Sequence, residues 1–138
     1  MTRGTIQSPN HMPKVTLDLI TTDATTGEYV LYLVEDGPWP LDQKRLEVEL
    51  TRIQNRILNA VDVVTGGHLA KKYPDSIKGK VRIQIDSPSG LPKRLEDLIE
   101  RVKEFVLKDA NYYSAVTESP YVAQLRIVTG HEIGRFAK

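Results

Sequence analysis

The residues of this chain that could do chemistry are three carboxylates and two guanidinium groups placed within or beside apolar runs. Glu35 and Asp36 follow Tyr29-Val30-Leu31-Tyr32-Leu33-Val34, and Asp86 ends the alternating run Val81-Arg82-Ile83-Gln84-Ile85. If those strand ends converge, hard oxygen ligands of this kind could hold a magnesium ion, with Arg82 or His68 steadying the charge of a phosphate ester. That would make the protein a metal-dependent hydrolase. Asp36 before Gly37 is more simply a turn former, so the preferred reading assigns no metal ligand and no catalytic residue. His131-Glu132 is half of a zinc-protease motif, but no second histidine follows at helical spacing, and the flanking glycines oppose a helix. With no cysteine in the chain, disulfides, thiolate metal sites and cysteine nucleophiles are excluded. No motif calls for a cofactor, and enzyme is the weaker reading.

The stronger constellation is a polar surface. Thr16, Asp18, Arg82, Gln84, Gln124 and Arg126 occupy alternate positions of apolar runs, and side chains two apart on a strand share a face. Tyr32 is an aromatic neighbour in the same sheet. Arginine forks, amides and a tyrosine can grip a carboxylate, a phosphate or unstacked bases. Against a binding role, antiparallel sheets commonly leave one face wet, and the paired aromatic motifs of single-stranded RNA modules are absent. Trp39, set between Pro38 and Pro40, would anchor a partner if exposed; its rigid neighbours pin it near a helix start, which favours burial. His68, Lys71, Lys72, Lys78, Lys80 and Arg82 form a basic stretch interrupted by Asp75. Such a stretch could meet phosphates, although lysines around a turn more often serve solubility.

Positioning these residues requires a sheet and helices, and both are legible. Val15, Leu17 and Leu19 alternate with polar residues, and a turn at residues 22–27 leads into the uninterrupted apolar run from Tyr29 to Val34, predicting a hairpin from Val15 to Val34. After the Pro-Trp-Pro corner, Asp42 is a helix cap, with Leu41 and Leu46 at hydrophobic-staple positions. Leu46, Leu50, Ile53, Ile57, Val61 and Val64 form one apolar stripe ending at Gly66-Gly67, and His68 to Tyr73 adds a short turn. Val81 to Asp86 predicts a third strand with one wet face. Pro92 opens a second helix with Leu95, Leu98, Ile99, Val102, Phe105 and Val106 on its apolar side. Residues 112–116 read as a weak strand and residues 121–127 as a better one. The resulting expectation is an α+β two-layer sandwich, ββαβαββ, with a mixed sheet of about five strands and two helices on one face.

At 138 residues, 40% hydrophobic and 27% charged, the chain suits one domain, here residues 14–138, with residues 1–13 a loose tail and residues 130–138 a loose end. A net charge of +1 gives no global field, which argues against nucleic acid as a partner. The first residues lack the apolar centre of a secretory signal, and no run approaches the roughly 20 apolar residues of a membrane span. The expectation is a cytoplasmic protein with no membrane partner.

The residues Asp18-Leu19-Ile20, Thr26-Gly27-Glu28, Val34-Glu35-Asp36-Gly37-Pro38-Trp39, Leu69-Ala70-Lys71-Lys72-Tyr73-Pro74 and Val81 to Asp86 together resemble a family of small bacterial proteins catalogued as a domain of unknown function. The similarity runs from Val15 to Val116, and its most specific pieces are the Glu-x-x-Pro-Trp corner and the Tyr-Pro before the third strand. It implies a compact bacterial domain and carries over no catalytic residues. The functional expectation is therefore a binding domain for another protein or for a second copy of itself, through the polar sheet face or an edge strand. The alternatives are a metal-dependent phosphoesterase using Glu35, Asp36 and Asp86, and single-stranded RNA binding through Tyr32, Arg82 and Arg126.

Overall fold

The computed structural model describes residues 19–35, 37–88 and 90–130. Strand β1 (Leu19–Asp23) turns into β2 (Glu28–Val34) through a tight hairpin. Asp23 builds that turn: its carboxylate accepts from the N–H of Thr25 at 2.9 Å, its carbonyl accepts from Gly27 N–H at 2.7 Å, and Gly27 takes φ 79°, which costs a glycine little. The expected earlier part of the first strand, with Val15, Thr16, Leu17 and Asp18, lies outside the described residues, as do residues 1–13, Asp36, His131 and Glu132.

Helix α1 (Gln43–Thr65) is capped by Asp42, whose carboxylate accepts from Arg45 N–H at 3.1 Å. The six predicted stripe residues are all buried, and Gly67, at φ 92°, takes the left-handed turn beyond the helix end. The staple does not form: Leu41 is 98% exposed, because the chain enters the helix with this side chain turned to solvent. Helix α2 (His68–Lys72) and a 3-10 turn at Pro74–Ser76 lead into β3 (Gly79–Asp86).

Helix α3 (Lys93–Lys108) follows Pro92 and buries Leu95, Leu98, Ile99, Val102 and Val106. Phe105, expected on that apolar face, is instead half exposed and leans on Tyr112, with ring centroids 5.3 Å apart. The weak strand predicted over residues 112–116 is helix α4 (Ala110–Thr117). Asp109 decides this, since its carboxylate accepts from the N–H groups of Asn111 and Tyr112 and so nucleates a helix where β-favouring side chains alone suggested extension. Strand β4 (Val122–Thr129) completes the order ββααβααβ, so among the described residues the sheet has four strands where about five were expected.

The strands lie in the order β1-β2-β3-β4, with β1 antiparallel to β2 and the other two pairs parallel. Parallel connections carry the chain from β2 to β3 through α1 and from β3 to β4 through α3, and two successive crossovers of the usual right hand put their helices on the same side. Both long helices therefore cover one face, where Leu31, Leu33, Val81, Ile83, Ile85 and Ile127 meet the buried stripes of α1 and α3. The architecture is α+β with a mixed sheet. Among the described residues no helix is long and apolar enough to cross a membrane.

Candidate functional site

The face of the sheet away from the helices holds most of the predicted binding residues. Arg82 lies directly beside Val30 and Arg126, and Gln84 lies between Tyr32 and Val128. The two guanidinium groups do share a face, as the alternation requires, but Arg82 is withheld from solvent and only Arg126, on the outer strand, is partly exposed. Arg82 is 3% exposed, Gln84 is fully buried, and Tyr32 is nearly so. The wet face expected for the third strand is thus a buried polar layer.

Two like charges directly opposite each other on neighbouring strands repel, and Glu28 resolves the conflict. Its Oε1 accepts from Arg82 Nη1 at 2.6 Å and Arg126 Nη2 at 2.9 Å, while Oε2 accepts from Arg126 Nε at 2.7 Å. Thr26 Oγ1 adds a further donor to Oε1 at 2.9 Å. Arg82 also reaches Asp23 Oδ2 at 3.1 Å and gives its Nε to Gln84 Oε1 at 3.0 Å, and Gln84 Nε2 donates to Asp86 Oδ1 at 2.7 Å. A continuous chain of hydrogen bonds therefore links four strands.

This network sets the ionisation of its members. Hydrogen bonds from Arg126, then Thr26 and Arg82, overcome the penalty of burial and hold the Glu28 carboxyl down at about 2. The Thr25 N–H and then Arg82 hold Asp23 below its ordinary value. A carboxylate so acidic cannot act as a general base near neutral pH, and its lone pairs are already spent on guanidinium donors. Chemically, the layer satisfies itself.

The carboxylates considered for a metal are not brought together. Glu35 and Asp86 sit at adjacent strand ends, and Glu35 N–H donates to the Asp86 carbonyl at 2.8 Å. Asp86 shares the far face with its partner Val34, so Glu35, one residue on, turns to the helix side. There Arg52 and Arg56 of α1 clamp it at 2.8 and 2.6 Å. Burial pushes the Glu35 carboxyl up, but the two arginines outweigh it and hold it below the ordinary range. Asp36 lies outside the described residues, among which no group of three or more His, Asp or Glu side chains is placed to hold a metal ion.

Trp39 takes no part in the polar layer's hydrogen bonds. Half-buried against the core, it donates Nε1–H to the Gly90 carbonyl at 3.0 Å and so ties the loop after β2 to the loop after β3. Gln124 is exposed on the far face near the start of β4. Sequence reasoning missed Glu28, Arg52 and Arg56. Glu28 has the same parity as Val30 and Tyr32, which would have put it on the face of the arginines once the neighbours of β3 were known.

One surface is less complete. Among the described residues β4 ends the strand order, and Gly130 N–H bonds back to the Ile85 carbonyl at 2.9 Å. In a parallel ladder the alternate residues face the other way, so the backbone groups of Leu125 and Ile127 point away from β3. Along that margin runs a groove of about 310 Å³, walled by Leu125, Ile127 and Val128 of β4, Val106 and Leu107 of α3 and Val116 of α4, with Lys103 and Arg126 as its cations. Leu107 is 56% exposed.

Comparison of the chain with protein-family models, with curated proteins and with solved structures returns no match.

Proposed function

We propose that this protein is a small binding module that accepts an extended segment of a partner protein, or of a second copy of itself, along the outer margin of β4. The observation that supports this reading is the conjunction of outward backbone groups at Leu125 and Ile127 with an apolar groove beside them. An added strand would gain main-chain hydrogen bonds from the margin and specificity from alternate side chains entering the groove, which is how strand addition works elsewhere. The polar sheet face is the weaker of the two surfaces, because Arg82 already donates to Asp23, Glu28 and Gln84. The same pairing weighs against RNA on that face, and the opposed directions of Glu35 and Asp86 weigh against a metal-dependent phosphoesterase.

A photo-crosslinking residue placed at Leu107 tests the proposal, with one at Val48, an exposed position on α1, as the control. Discrete protein adducts from Leu107 and none from Val48 are expected. Hydrogen exchange then reads the geometry: the Leu125 and Ile127 amides exchange faster than those of Arg126 and Val128 in the free protein and become protected in the adduct-forming complex. No adducts at Leu107, or no gain in protection, would overturn it.

A further inference from the structure

At the end of the sheet where β3 and β4 begin, charge and an aromatic ring come together. Tyr121, immediately before β4, accepts through its carbonyl from Lys78 N–H at 3.0 Å. Its ring packs against Gly67: three ring carbons stand 2.9 to 3.2 Å from where a Cβ on that glycine would be, so the contact needs bare backbone. Gly67 in turn accepts at its carbonyl from Lys71 N–H at 2.9 Å. Tyr121 is thus fastened to both arms of the lysine-rich segment, yet stays 38% exposed, and Ile77 beside Lys78 is exposed as well.

Lys71, Lys72, Lys78 and Lys80 all face solvent, and within the described residues none of their ammonium groups enters a hydrogen bond or ion pair. Asp75 is the one acid in the segment, although the whole chain nets only +1. Positive charge is therefore concentrated at this corner and spent elsewhere, as at Arg82 and Arg52. Lys78 also holds φ 59°, a left-handed conformation that favours glycine, and a lysine kept there retains its charge at a backbone cost. A partly exposed ring packed on bare backbone, at the same end of the molecule as exposed cations that hold no partner among the described residues, suits a ligand that alternates phosphates with flat rings.

We infer that this corner binds single-stranded nucleic acid, with Tyr121 stacking on a base and Lys71, Lys72 and Lys78 meeting the backbone phosphates; Lys80, two residues before Arg82, points with it to the side of the sheet away from the helices. Stacking on one tyrosine requires an unstacked base, so single strands are favoured over duplex. The site is separate from the β4 groove, and substitution of Leu107 leaves it intact.

Fluorescence anisotropy of the full chain with labelled oligouridylate and oligothymidylate of about 16 nucleotides is the test. The expected result is binding to at least one of them, with a slope of log affinity on log salt of about −2, about 0.7 for each of the three lysines engaged. Tyr121→Ala weakens binding by about tenfold while Tyr121→Phe retains it. Lys78→Gly keeps the fold, since glycine relieves the left-handed backbone, and lowers the slope by about 0.7. Lack of oligonucleotide binding overturns the inference. So do equal affinity for duplex, retention of heparin, an acidic peptide or phosphatidylserine vesicles in preference to the oligonucleotide, and insensitivity to Tyr121→Ala in a variant shown to be folded.

Discussion

The far face of the sheet and the lysine corner carry cations of similar promise in the sequence, and they end in opposite states. Arg82 and Arg126 are drawn into one carboxylate, with Glu28 bridging both, whereas Lys71, Lys72, Lys78 and Lys80 hold no partner among the described residues. A cation in the middle of a sheet loses water and must be paired; one on a turn keeps its water and stays available. Buried arginines are therefore poor candidates for contact surfaces, and plain surface lysines at the same end of the molecule as a partly exposed ring are better ones.

The contrast is broken most severely at Glu28. Glu28→Ala leaves Arg82 buried beside Arg126 with the bridging charge removed, and a loss of about 3–5 kcal/mol in urea unfolding is expected. A loss under about 1 kcal/mol would mean that the network is solvated. Arg126→Met is milder, about 1–3 kcal/mol, because Glu28 keeps Arg82 and the Arg126 side chain is partly exposed. Acid sharpens the same point. The folded Glu28 carboxyl titrates at about 2, below its ordinary 4.5. Its contribution is accordingly complete above pH 4.5 and disappears as pH falls toward 2. Urea midpoints of the wild type and Glu28→Gln should differ most above that window and approach each other below it.

Outside the network the expected effects shrink. Asp109→Ala removes the cap of α4 and costs about 1 kcal/mol by thermal or urea unfolding, with the loss of helical signal confined to that short element. Replacing Lys71 and Lys72 together by Gln shifts stability by no more than about 0.5 kcal/mol, since neither side chain holds anything in place. A larger loss would show that the corner serves the fold, and would remove the distinction between the two regions.

The elements were legible where periodicity ran long. The stripe from Leu46 to Val64, the cap at Asp42, the Asp23 and Gly27 turn and the alternation through Val81, Ile83 and Ile85 all correspond to observed structure. The segment after Lys108 was misread because Tyr112, Tyr113 and Val116 have strand-favouring side chains, and the Asp109 cap outweighs that weak preference. The polar residues of β3 and β4 were assigned to the correct face; Gln124 is exposed there and Arg126 partly so, but Arg82 and Gln84 are buried where a wet face was expected. Nothing local to Arg82 or Arg126 announces that Glu28 stands between them.

The local pattern of apolar and polar residues was sufficient to determine which segments become α1, α3, β2 and β3, because helix and strand periods are written into neighbours a few positions apart. Only the tertiary structure decided what the charged residues do. The bond from Arg126 to Glu28 spans 98 positions and the one from Arg82 to Glu28 spans 54, so each depends on which strands lie side by side. Strand order brings those charges together and removes water from around Arg82 and Glu28. Tyr121 against Gly67 is the same kind of fact: a ring and a bare backbone far apart in the chain, joined because β4 begins beside the end of α1.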